Sequence, residues 1–353
     1  PSSQLSQGPP AQEKAAWAPP AASSWRPGGM AGGARVEAGG FYAEWAGHRP
    51  RDLAGVLRGA AGRGAGAARR DSAADAALGK GRRVLWLLGD SSLDNKFWLQ
   101  FCPPPRRAQA LNGYERALRP GDLMHRDVCY WLNRAALDAG LDVVCVNAAV
   151  EASTLGERGG ACGRPRLLPQ DRFVAENLLP DDVLCVSVGG NDIAMRPTLA
   201  TVFSMLALVR APPERVESGR ALGLQHFVRL FRDDMRRYVE RVLDGRPVAA
   251  VAVCFIYYPC LEGQGGWADG ALALLRYDRD PGRLQLIMRE IFRQALSGLR
   301  IPGIRVVPIP LYESLDPADP GDYVARVEPS VLGGKKLARG ILARLQPVLE
   351  ERR

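Results

Sequence analysis

Histidine is almost missing from this chain. Only His48, His125 and His226 occur among 353 residues, so chemistry at neutral pH has few ordinary proton shuttles to draw on. Lysine is also rare: Lys14, Lys80, Lys96, Lys335 and Lys336 are the only five among 47 basic side chains. The formal charge of +9 therefore rests on arginine, and the arginines lie among acids, as in Arg232-Asp233-Asp234-Met235-Arg236-Arg237. That pattern describes solvated amphipathic helix faces rather than a stripe that tracks phosphates, which makes nucleic acid a weak candidate partner. Long apolar runs are absent too, and none approaches the ~20 residues of a membrane-spanning helix. The seven cysteines show neither metal-ligand spacing nor a disulfide framework, and nothing implies a cofactor. Cys145, Cys185 and Cys254 sit inside apolar runs, as small core residues do, and the odd count fits a reducing, intracellular compartment.

Composition divides what is present into two parts. Residues 1 to about 80 are rich in Ala, Gly, Pro, Ser and Arg, as in Gly62-Arg63-Gly64-Ala65-Gly66. Such a segment buries too little apolar surface to offset its ordering entropy, and the expectation is a mostly disordered stretch. Phe41-Tyr42-Ala43-Glu44-Trp45 and Leu53 to Leu57 form the exception, a candidate short helix that docks on the domain. The segment also has the composition of a transit-type leader, against which stand its acids Glu13, Glu37, Glu44 and Asp52.

From Gly81 onward, strand-like and helix-like segments alternate in what reads as one domain, 81–353. Apolar or β-branched runs near 83–88, 142–147, 182–188, 248–257 and 304–308 predict about five strands. Amphipathic stretches near 92–101, 123–139, 170–178, 198–210, 224–244, 283–299 and 331–350 predict the helices. Continuous apolar strands between helices mark a mainly parallel sheet covered on both faces, a three-layer α/β/α sandwich. Ligands in such folds sit beyond the C-terminal ends of the strands. Three polar loops fall there: Gly89-Asp90-Ser91-Ser92, the stretch Asn147 to Thr154, and Gly189-Gly190-Asn191-Asp192.

These blocks, in this order, resemble the SGNH hydrolase (GDSL esterase and lipase) superfamily, and the likeness spans roughly residues 83–345. It implies a flavodoxin-like fold and a serine nucleophile in the first block, which maps onto Ser91. The second block of the family reads Asn-x-Gly-x-x-Gly, its last glycine donating a backbone N–H to an oxyanion. Here it reads Asn147-x-Ala149-x-x-Ala152, and Ala152 keeps that N–H. The third block implies that the Asn191 amide is a second oxyanion donor. The last block of the family reads Asp-x-x-His-Pro-[Ser/Thr], whereas this chain has Ala325-Arg326-Val327-Glu328-Pro329-Ser330. Both members of the Asp/His pair are thus replaced.

Glu328 then carries two readings. As a base it starts from a pKa of ~4.3 against ~6.5 for histidine, a gap that burial narrows. As a structural residue it caps the helix after Pro329 or pairs with Arg326. No histidine stands in for it: His48 lies in the leader-like region, His125 starts the helix before the second strand, and His226 sits on an Arg-rich amphipathic face. The resemblance gives Asp90, and with it Asp192, a loop-orienting role. The stretch Pro259 to Pro281 is long enough for a lid or specificity loop, with Tyr257, Tyr258 and Trp267 as pocket-lining or packing aromatics. The run Arg158 to Arg166 reads as a flexible charged loop or an anion-holding one. Two functions follow. One is a serine ester hydrolase acting on a small acyl or acetyl ester. The other is a catalytically impaired module of the same fold that binds a small ligand or a protein partner.

Overall fold

The structure is a computed structural model and describes residues 35–43, 45–66, 81–159 and 166–351. Five strands form its central sheet: β1 (Arg83–Gly89), β2 (Val143–Asn147), β3 (Val183–Ser187), β4 (Ala250–Phe255) and β5 (Val306–Pro310). Every pairing is parallel and the spatial order is β2-β1-β3-β4-β5. Strands β2, β3 and β4 are buried along their whole length, which is why they read as unbroken apolar runs instead of alternating ones.

Right-handed crossovers decide which face each helix covers. The step from β1 to β2 runs one way along the sheet, and the steps from β2 through β3 and β4 to β5 run the other way. Helix Val128–Asp138 therefore lies on one face, joined there by the C-terminal helix Val331–Glu350 that packs on it. Helices Pro169–Asn177, Met235–Leu243 and Pro281–Ala295 cover the other. The result is an α/β/α sandwich with one main core and a small second cluster of Ala268, Leu272 and Tyr277.

Two predicted helices are cut short. The stretch 92–101 turns repeatedly and ends in a single 3-10 turn, Trp98–Phe101. Residues Leu123–His125 form a short strand antiparallel to Arg107–Gln109, and the helix starts only at Val128. Asp127 sets that start by accepting a hydrogen bond from the Tyr130 N–H at 2.8 Å. His125 thus belongs to a strand, stacked on Tyr42, and not to the helix.

The packed body extends upstream of Gly81. Helix Pro50–Ala61 buries Leu53, Val56, Leu57 and Ala60 completely. Averaged over 80 residues the composition is that of a disordered tail, but these four apolar residues recur at helical spacing and form one buried stripe. Just beyond it, Arg63 makes two 2.8 Å hydrogen bonds to Asp182, which also accepts from the Val84 N–H and the Trp86 indole. His48 is buried as well, stacked on Phe41, and burial holds its pKa well below the usual value. Residues 1–34 and 67–80, the remainder of the leader-like segment, lie outside the described residues.

Candidate functional site

Gly89 ends β1 with a φ of 135°, and a Cβ there would lie 1.8 Å from the Ser187 carbonyl oxygen. Only glycine permits that close approach, and the chain leaves the sheet straight into Asp90-Ser91-Ser92. Asp90 holds the turn by accepting a hydrogen bond from the Ser92 N–H at 3.1 Å. Burial pushes the Asp90 carboxyl up to about 6, with the hydrogen bonds from Ser92 acting against it.

The loop after β2 wraps the same end. Asn147 donates to the Leu93 carbonyl and to Asp94, each at 3.2 Å, and accepts from the Ala149 N–H. Ala152 sits at a φ of 57°, a left-handed conformation uncommon for alanine. That is where the resemblance places glycine, and it turns the chain so that the Ala152 N–H has no acceptor among the described residues. Ser153 Oγ donates to the Gly89 carbonyl at 2.9 Å, tying this loop to the first.

After β3, Asn191 spends one amide hydrogen on the Ser153 carbonyl, at 3.0 Å. Its second hydrogen remains for the cavity that Asn191 lines. Asp192 accepts from the N–H groups of Leu155 and Gly156, both at 2.8 Å, and so orients the loop. Arg158, expected in a flexible or anion-holding loop, is fully buried and pairs with Asp171 at 3.0 Å. Its other donors reach Ser153 Oγ, the Thr154 carbonyl and the Gly89 carbonyl, so it ties two of the loops together. The part of that run from 160 to 165 lies outside the described residues.

Glu328 reaches the site from a two-residue strand, Glu328–Pro329, paired with Tyr323–Val324. Neither structural role foreseen for it is taken. The Val331–Glu350 helix is capped by Ser330, which accepts from Leu332 and Gly333 at 3.1 Å. Arg326 turns away to Asp278, Asp269 and the Cys260 carbonyl. The Glu328 carboxylate instead lines the same cavity as Ser91, near enough for the Ser91 hydroxyl to bear on its pKa. Burial pushes its pKa up to about 8 and neighbouring Asp90 adds to the rise, while the Ser91 hydroxyl lowers it. Asn95 braces this strand, donating to the Pro329 carbonyl at 3.0 Å and accepting from the Val128 N–H.

Ser91, Asn191 and Glu328 lie together on the wall of one cavity of about 150 Å³. Most of its other walls are apolar, including Ile193, Met205, Ile256, Leu272 and Met288. No residue of the loop after β2, Ala152 included, is among these walls. The stretch 259–281 supplies Trp267 and the face of helix Asp269–Leu274, so it forms one side of the cavity. Tyr257 lines the cavity and donates to the Val327 carbonyl at 2.7 Å, whereas Tyr258 stacks on Tyr312 away from it. None of the three histidines lines this cavity.

Glu151 went unnoticed in the sequence. It lies 4% exposed beside the site and accepts from the Trp98 indole at 2.6 Å. An acid between Val150 and Ala152 in a polar loop gives no sign of burial; only the fold encloses it. Among the described residues no group of His, Cys, Asp and Glu is arranged to hold a metal ion, and no helix is long and apolar enough to cross a membrane.

No family model matches the chain, and no curated protein matches its sequence. Similar solved structures include the lipase Lip_vut3 from a goat rumen metagenome, at 13% identity and a TM-score of 0.40, covering 74% of this chain and 97% of that one. A family 3 carbohydrate esterase from Clostridium thermocellum has 13% identity and a TM-score of 0.38, covering 76% and 96%. An acetylxylan esterase from Geobacillus stearothermophilus has 15% identity and a TM-score of 0.38, covering 76% and 95%.

Proposed function

We propose that this chain is a serine ester hydrolase of the SGNH type, with Ser91 as nucleophile and Glu328 as its base. One observation carries the reading: the Ser91 hydroxyl and a buried carboxylate of raised pKa share the wall of an apolar cavity. A carboxylate that titrates near 8 is, once ionised, a far stronger base than an ordinary glutamate, and this offsets much of the loss of histidine. As Ser91 Oγ attacks the ester carbonyl, its proton moves to Glu328. The oxyanion takes hydrogen bonds from the Ser91 N–H and from the second amide hydrogen of Asn191. Glu328 then returns the proton to the departing alkoxide, and water hydrolyses the acyl-enzyme by the same route in reverse. A cavity of about 150 Å³ with apolar walls suits a short acyl or ring-sized group.

The test is covalent labelling of Ser91 by a fluorophosphonate, followed by intact mass between pH 6 and pH 9. The expected result is labelling that accelerates as pH rises through about 8 and vanishes in Ser91→Ala. A folded protein that stays unlabelled at pH 9 would falsify the reading. The same raised pKa favours a second reading, since below pH 8 Glu328 is mostly protonated and a poor base. On that reading the cavity binds an ester or related small ligand without turning it over. Thermal stabilisation by a short-chain ester that survives Ser91→Ala, with no labelling, marks that outcome.

A further inference from the structure

Helix Leu199–Arg210 is built inside out. Its single charged residue is Arg210, at the last position. The residues it buries are Thr201, Ser204 and Leu208, two of them carrying hydroxyls. Thr201 is hydrogen-bonded to His226 at 3.0 Å. Gly223 lies against the Ser204 backbone, where a Cβ would stand 2.4 Å from the carbonyl oxygen, so the polar face is pressed onto the neighbouring helix. Leu199 and Phe203, one turn apart, stand in solvent at 91% and 65% exposure. With the half-buried Val202 and Leu206 they make one stripe at helical spacing. Leu222, next to Gly223, is exposed as well. A surface helix ordinarily turns its apolar side inward, and a continuous apolar face in water marks a surface that meets something apolar.

Its surroundings indicate what it meets. The same helix contributes Met205 to the wall of the cavity that holds Ser91. At its C-terminal end a cleft of about 220 Å³ is formed by Val209, Leu275, Arg276, Arg279, Asp280 and Arg283. Leu275 also lines the cavity, so cleft and cavity adjoin. Arg283 donates to the Val209 carbonyl at 3.3 Å, and Asp280 caps the following helix by accepting from the Arg283 N–H at 3.2 Å. Asp278 is paired with Arg326. Arg276 and Arg279 are exposed, as is Leu274 beside them, and the cleft holds three arginines against one acid. An apolar stripe that ends in exposed arginines suits the boundary of an anionic lipid layer, where aliphatic and aromatic side chains enter the acyl region and guanidinium groups stay at the phosphates.

We propose that this face docks on an anionic membrane surface, with Leu199 and Phe203 inserted among the acyl chains and Arg276 and Arg279 at the lipid phosphates. The helix lies on the surface and does not cross it, since no helix of the described residues is long and apolar enough to span a membrane. Docking sets one wall of the cavity against the lipid. It goes beyond the hydrolase reading and does not depend on it.

The experiment is flotation of the full chain with vesicles of phosphatidylcholine containing about 30% phosphatidylglycerol, and with vesicles of phosphatidylcholine alone, at low and at high salt. The expected result is binding to the anionic vesicles that falls roughly tenfold or more at high salt or without phosphatidylglycerol. Leu199→Ser combined with Phe203→Ser should weaken that binding roughly tenfold or more. The melting temperature should stay within about two degrees, because both side chains already stand in water. Arg276→Glu combined with Arg279→Glu should weaken binding about tenfold and flatten its salt dependence. A full chain that does not float with anionic vesicles overturns the proposal, and so does equal binding after the Leu199 and Phe203 substitutions. Sedimentation at micromolar concentration then tests the other occupant. A dimer that those two substitutions convert to a monomer, without flotation, assigns the face to a second copy of the chain and overturns the membrane assignment. Labelling of Ser91 is read separately, so the docking surface and the hydrolase reading fail independently.

Discussion

The two sides of the cavity are built on different principles. On the Ser91 side, the loops after β1, β2 and β3 are cross-tied by the side chains of Asn147, Ser153, Arg158, Asn191 and Asp192. On the Glu328 side, a two-residue strand presents a carboxylate with one oxygen unmatched and a pKa lifted by burial. The first side is fixed by geometry. The second is set by electrostatics, so substitutions on the first should act mainly through structure and rate, and those on the second through pH.

The sharpest break is Ser91→Ala, which should abolish fluorophosphonate labelling while leaving the melting temperature within a degree or two. Arg158→Leu tests the geometric side directly. It leaves Asp171 buried without its counter-ion and should destabilise the fold by about 3–5 kcal/mol, measured by urea denaturation. On the proposed reading, Asn191→Ala removes an oxyanion donor and should slow turnover of a short-chain ester about 10²- to 10³-fold, and loss of its bond to the Ser153 carbonyl should cost about 1 kcal/mol of stability.

Glu328→Gln sharpens the electrostatic side. A carboxyl whose folded pKa stands near 8 against ~4.3 unfolded holds its proton more tightly when folded, so stability is highest below pH 4 and declines as pH rises to about 8. Glutamine removes that decline. The variant should gain on the unsubstituted protein by about 1.4 kcal/mol for each pKa unit of the shift, read as the difference in unfolding free energy between pH 5 and pH 8.5. Parallel curves for the two proteins would refute the raised pKa. The smallest effect is expected at Trp267→Ala. It widens the cavity without touching the polar groups, and should shift preference toward longer acyl chains by about tenfold in kcat/KM.

The central sheet was readable because each of its five strands is an apolar run, and burial on both faces demands just that. Ser91 and Asn191 were readable for a related reason, since strand ends in a parallel sheet are few and polar loops after them stand out. Glu328 was placed, but its partner was not: an arginine two residues away in sequence looked like the natural counter-ion, and the strand turns the two side chains apart. Ala325 and Arg326 make that turn, with left-handed φ values of 49° and 74°. Glu151 and the Arg63–Asp182 pair escaped notice because their burial arises from segments distant in sequence, which no local pattern records.

The Arg63–Asp182 pair also bears on where the chain can be cut. Asp182 lies at the base of β3, wholly enclosed, with Arg63 as its counter-charge 119 positions earlier. A shortened chain beginning at Gly81 would keep every residue of the cavity yet leave this carboxylate as a lone anion beneath the Trp86 indole. Residues 45–66 are in this sense an internal part supplied early, and their removal would be felt at the sheet before it was felt at Ser91.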